Sequence, residues 1–224
     1  MTDEMLRADR VGKLFQTEED DFRFARWGRS IAPVVFGMDD TMLDPLKDAM
    51  SAVAGIAGLQ FSETDPELGA NFMIFVCRNW DELALVPDLD KLVPNFSDIM
   101  AALKNADASQ YRTFFFDDDG AIQMCVSLLR FGDEMAGMSV QALGTAQMLQ
   151  AILLWGAHAF DHESPIAFVP ETSACVVKPG YAALLRAAYD RALPRASRDA
   201  SLALRLAARA GKSGAANAGA THDA

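Results

Sequence analysis

The chain has 224 residues, is 51% hydrophobic, and carries a formal net charge of −11 with a sequence pI near 4.6. That length and composition suit one well-buried soluble domain rather than two. The acidic balance opposes nonspecific attraction to nucleic acid or anionic lipid, because phosphate binding rests on clustered Lys and Arg, and neither is expected as a partner.

Residues 1–21 mix acids and bases around Leu6, Val11, Leu14 and Phe15 and read as an N-terminal arm with a short amphipathic helix. Acids stand among the first residues and no apolar run of signal-peptide length follows, so the expected location is the cytoplasm. From Phe22 the text turns aromatic and β-branched, which predicts a strand over about 31 to 37, at a sheet edge because of Pro33. In LDPLKDAMSAVAGIAGL, Leu46, Met50, Val53 and Ala57 fall at helical spacing, with Asp44 as N-cap and Pro45 at the first helical position. NFMIFV then reads as a buried strand.

Residues 77–110 read as a long loop with a helix near Ser97 to Asn105. YRTFFF, the turn DDDG and AIQMCVSLLRF form the clearest local signal, a β-hairpin. The stretch from Met135 to Phe160 holds no formally charged side chain and predicts a central helix starting near Ser139, apolar on most sides and covered all round. Its length alone would suit a membrane span, but Ser139, Gln141, Thr145, Gln147 and Gln150 interrupt it and basic flanks are missing, so no membrane span is expected. Gly144 implies a close helix contact. IAFV and SACVV are short β-like pieces, and PGYAALLRAAYDRAL is the closing helix, with Leu184, Leu185, Ala188 and Leu193 toward the core. The expected division is an arm over 1–21, one globular domain over 22–195, and a tail over 196–224. That tail begins basic and helix-competent, ends in small residues, and is largely disordered.

Histidine is scarce: His158, His162 and His222 are the three present. His158 and His162 are spaced i, i+4 and, with Glu163, would form a metal site if helix ran through them; zinc or another divalent metal is the alternative to having no cofactor. Pro165 soon after suggests instead a helix end or loop. Asp117, Asp118, Asp119 and Gly120 fail the EF-hand pattern and read as a solvated turn. Cys77, Cys125 and Cys175 form no CxxC; buried free thiols are expected, with one disulfide as the alternative in an oxidising compartment. Cys-His catalysis would require one of them to meet His158 or His162 in space. Phosphate-loop, dinucleotide and nucleophile-elbow motifs are missing. Gln147 and Gln150, uncharged amides in an apolar helix, must either bond to neighbouring segments or face a cleft, and with Trp155 they are the candidate pocket residues.

The order strand, helix, strand, connector, hairpin, long helix, final helix resembles the zincin metallopeptidase layout. RWGRSIAPVVFG, DPLKDAMSAVAGIAGLQF, GANFMIFV and LLRAAYDRALP are similar to stretches of a bacterial zincin-like family of unknown function. The resemblance covers about residues 22 to 195 and implies an α/β (α+β) fold with a mixed sheet packed on a long buried central helix. In zincins that helix carries HExxH, two zinc-binding histidines and a glutamate base. Here the matching five residues are Ala146, Gln147, Met148, Leu149 and Gln150, so ligands and base are both missing, and Gln150 alone matches the glutamine of the related family. The resemblance therefore implies a pseudoenzyme, a noncatalytic protein acting through binding of a protein or peptide partner or through assembly, homo-oligomers included. A metal-dependent hydrolase using His158, His162 and Glu163 and a small-molecule-binding protein are the alternatives.

Overall fold

The amphipathic stripe of Val11, Leu14 and Phe15 forms as expected, but in the core. The computed structural model describes residues 7–132, 137–169 and 174–219, with side chains described as far as residue 212. Its first helix, α1 (Ala8–Lys13), and the turn after it bury all three of those residues. The strand β1 (Phe24–Ala25) follows, then β2 (Pro33–Phe36), the edge strand in which Pro33 was expected. The next helix, α2 (Asp40–Ile56), starts four residues before the expected N-cap. Asp39 caps it through Thr41 N–H at 3.0 Å, and Pro45 lies inside the helix. β3 (Phe72–Cys77) leads into a 3-10 helix (Trp80–Leu85), α3 (Leu89–Leu92) and α4 (Phe96–Asn105). The hairpin is β4 (Gln110–Phe116) and β5 (Ile122–Arg130). The remainder is α5 (Val140–Ala151), a two-stranded pair β6 (Ile166–Val169) and β7 (Ala174–Val177), α6 (Pro179–Ala188), β8 (Ala196–Ser197) and α7 (Leu202–Gly219).

The protein is mixed α/β. Its main sheet runs β2-β3-β5-β4, with β2, β3 and β5 parallel and β4 antiparallel at the other edge. Helices or loops cover both faces, so β3 and β5 bury apolar residues on both sides, with Ser127 the buried polar residue of β5. Phe72, Ile74, Cys125 and Leu129 face a core shared with α1, α2, α5, α6 and α7. Phe75, Cys77, Met124, Val126 and Leu128 face a second core with Trp80, Leu89, Met100 and Leu103. Asn71 fixes the start of β3: fully buried, it accepts from Ala32 N–H at 2.7 Å and donates to Ser30 O and to the Asp65 carboxylate.

Two expectations change. The central helix is shorter than the charge-free stretch, ending at Ala151 because its last carbonyls find partners outside the helix. Trp27 Nε1 donates to Ala151 O (2.8 Å), the Tyr189 hydroxyl to Ile152 O (2.6 Å) and Trp155 Nε1 to Leu149 O (2.7 Å). Leu154 N–H then bonds to Ala25 O, which draws the chain out along β1. Nor do residues 21 and 195 bound the core. β8 pairs with β1, α7 buries Leu202, Ala203, Leu206, Ala207 and Ala210, and Ala210 clusters with Ala183 and Ala187 of α6. Alanine stripes allow close helix contact without large side chains. Leu6, Met135, Pro170 and His222 lie outside the described residues. Among the described residues no helix is long and apolar enough to cross a membrane.

Candidate functional site

α5 crosses α2 at Gly144, where a Cβ would stand 2.5 Å from Leu46 O, and this contact sets the helix's height over the sheet. The sheet side of α5 buries Gln147, 2% exposed. An amide placed there requires a partner, and β4 supplies it. Arg112 stands opposite Ser127 in the hairpin register, and its guanidinium spreads beneath the helix. Nε donates to Ser127 Oγ at 3.0 Å, Nη1 to Gln150 Oε1 at 2.7 Å and Nη2 to Gln147 Oε1 at 2.5 Å. One planar donor fork thus pins two turns of α5 to the hairpin.

All three acceptors are neutral. Among the described residues Arg112 has no carboxylate partner, and burial pushes its guanidinium below the ordinary arginine value, with the nearby Cys125 thiol acting the other way. The cluster is therefore a partly buried positive charge held by dipoles.

Gln150 reaches from this cluster to a cavity of about 440 Å³ on the outer side of α5. Ala142, Ala146 and Gln150 form its helix wall, one turn apart, and Phe160, Pro165, Ile166 and Phe168 form the opposite wall. Both amide oxygens accept from the Arg112 guanidinium, whose positive charge opposes a metal ion at either one. Ala146, one turn before Gln150, offers no donor atom. Cys175 lines the same cavity, while Cys77 and Cys125 are buried thiols pushed up by desolvation to about 11 and about 12, too high for thiolate chemistry at neutral pH. All three cysteines are free.

The remaining candidates lie elsewhere. Trp155 does not share the Gln150 cavity; it stacks on Phe15 with centroids 5.5 Å apart and packs on Phe160 and Tyr181. His158, His162 and Glu163 line a separate cavity of about 290 Å³ with Asp9, Arg10, Lys13 and Tyr181. The helix has ended before them, so His158 and His162 are not stacked one turn apart, and the condition for the i, i+4 ligand pair is not met. His158 Nδ1 bonds to Asp161 at 2.7 Å, and Glu163 is taken by Arg10 and by Lys178, the latter at 3.1 Å. Among the described residues no group of three or more His, Cys, Asp or Glu side chains is arranged to hold a metal ion. In the hairpin turn, Asp117 accepts from the backbone of Asp119 and Ala121, so its carboxylate closes the turn.

Arg112 was the residue missed from sequence. The signal was present: it is the sole charge in SQYRTFFF, and pairing the hairpin places it opposite Ser127. Comparison of the chain with protein-family models, curated proteins and solved structures returned no match.

Proposed function

We propose that the chain is a noncatalytic zincin-like binding protein whose recognition site is the cavity on the outer side of α5. The fold half of this reading is supported by the order strand, helix, strand, hairpin, helix and by a sheet whose free edge beside α5 is the antiparallel β4. The functional half rests on one observation above the others: the helix positions that match HExxH hold Ala146 and two glutamines whose oxygens both accept from Arg112. A water-activating metal would need those positions as ligands and base. What the same positions provide is an ordered wall, with the Gln150 amide N–H₂ without a protein acceptor among the described residues.

The ligand is an extended peptide or protein segment. It would lay apolar side chains between Ala146 and Phe160 and bring a carbonyl or carboxylate oxygen to Gln150. A main-chain partner is also favoured by β4, which among the described strands pairs only with β5 and keeps one edge unpaired. Selection from a random peptide library with the full chain tests this, followed by counter-selection on Gln150→Ala. Recovery of sequences that bind the wild type and lose about tenfold in affinity on Gln150→Ala, the loss of one charge-assisted or well-made hydrogen bond, is the expected result. Failure to enrich any sequence, or equal binding by the variant, would remove the reading.

A small apolar molecule is a second reading favoured by the cavity's size, which falls in the range of about 300–1,000 Å³ usual for small-molecule sites. Native mass spectrometry of the purified protein separates the two, since it predicts a retained mass that a peptide site would not hold.

A further inference from the structure

The cavity beneath α1 is independent of the α5 site, and its charges do not balance as a metal site would. Glu163 is outnumbered by its two partners, Arg10 and Lys178. Asp9 is matched by Arg7 at 3.2 Å. Lys13, exposed at the last turn of α1, has no acidic partner among the described residues, and His162 has no hydrogen bond there either. With Asp161, which is bonded to His158 on the same lining, the cavity and its ion-pair partners hold the cations Arg7, Arg10, Lys13 and Lys178 against the carboxylates Asp9, Asp161 and Glu163, an excess of positive charge in a chain of net charge −11.

Tyr181 supplies the second observation. The residue is 1% exposed and packed edge-on against Trp155, yet it lines the cavity, and its hydroxyl has no hydrogen-bond partner among the described residues. The fully enclosed side-chain polar atoms left without a partner among the described residues are Thr17 Oγ1 and Arg26 Nε, so the Tyr181 hydroxyl opens onto the cavity and can donate into it. Burial holds the Tyr181 hydroxyl above its ordinary value, Glu163 adds to the rise and Arg10 opposes it, so the phenol stays a donor. An acceptor placed between Tyr181, Lys13 and Arg10 would satisfy that hydroxyl and the free ammonium together.

We infer that this cavity binds a small phosphate-bearing anion, with the Tyr181 hydroxyl, Lys13 and Arg10 as donors and His162 at the rim. At about 290 Å³ the space takes a phosphate group and a few further atoms but no nucleotide-sized ligand. Bound there, the anion would join α1 to α6 and to the segment after α5, so the N-terminal helix would be held more firmly when the ligand is present.

The test is calorimetric titration of the full-length protein with inorganic phosphate and, in parallel, with glycerol phosphate, for wild type, Tyr181→Phe and Lys13→Gln. Saturable binding at or below about 1 mM is expected, weakened about tenfold by Tyr181→Phe and several-fold by Lys13→Gln. Tighter binding of the ester supports a phosphate monoester as the natural ligand, and equal binding supports the free ion. Lys13 is exposed, so its variant remains informative even if Tyr181→Phe perturbs the aromatic cluster. Binding that neither substitution weakens would overturn the inference, as would no saturation up to about ten times that concentration. Stoichiometric zinc uptake abolished by His162→Ala would overturn it as well.

Discussion

Arg112 and Arg10 are both partly buried guanidinium groups, one beneath α5 and the other on α1 against the segment that follows α5, and they are held in opposite ways. Arg10 pairs with a carboxylate, Glu163, which a second cation also holds. Arg112 is held by one hydroxyl and two amide oxygens and keeps its charge uncancelled. The first arrangement is one that surfaces use, weak individually and screened by salt. The second commits buried amides to a single geometry, so removing the arginine leaves acceptors without donors. The same residue type is thus a surface clamp in one place and a structural pin with a residual field in the other.

Substitutions can break this contrast, and the largest effect belongs to the pin. Arg112→Ala should destabilise the fold by about 2–3 kcal/mol in denaturant unfolding, because Gln147 and Ser127 lose their donor while buried. Replacing Arg112, Gln147 and Gln150 together with Met, Leu and Leu should recover most of that loss, since an apolar cluster of similar shape leaves nothing unsatisfied. Gly144→Ala comes next, at about 1–3 kcal/mol, because its Cβ would meet the Leu46 backbone at 2.5 Å rather than a movable side chain.

Acid provides a third point of comparison. Burial alone would raise the Asp65 carboxyl, but the backbone N–H groups of Leu68 and Glu67 and the Arg29 guanidinium outweigh it and hold it below the ordinary carboxylate range. A depressed folded-state value means stability is gained above the unfolded value near about 4 and is lost as pH falls through the folded value. Asp65→Asn should therefore flatten the acid limb of a stability-against-pH curve, whereas Arg112→Ala should shift the whole curve down with its shape unchanged.

The smallest effects are expected at the Arg10 end. Glu163→Gln should cost under about 1 kcal/mol, shrinking with added salt, because both ion pairs are about one-third exposed. His162→Ala should fall within about 0.5 kcal/mol of wild type. A large effect of either, alongside a small effect of Arg112→Ala, would reverse the contrast.

Most elements were legible where local pattern decides them. The hairpin, the strand NFMIFV, the helix near Phe96–Asn105 and the closing helix from Pro179 follow from alternation, apolar runs and proline placement. Boundaries set by distant partners were not. α5 stops at Ala151 because Trp27 and Tyr189, each more than 35 residues away in sequence, satisfy its terminal carbonyls. The ends of the chain were read as an arm and a tail because charges interrupt their apolar residues and the last stretch is made of small ones; Val11 and Phe15 on one side and Leu202 and Leu206 on the other bury only by meeting the folded core. The site was half legible: Gln147 and Gln150 were marked as amides in need of partners, but that one arginine serves both depends on hairpin register and helix placement together.

The most direct measurement is the dissociation constant of a library-selected peptide for the wild type and for Ala146→Phe, with the recovered peptide checked by mass spectrometry. Ala146 lines the cavity opposite Phe160 and takes no part in the Arg112 hydrogen bonds, so a phenyl ring introduced there should occupy the ligand's space and leave the pin in place. The account predicts a loss of about tenfold or more, as steric exclusion from a well-packed pocket gives, and an intact peptide after incubation with either protein. Equal affinity for both proteins, or a cleaved peptide, would contradict it.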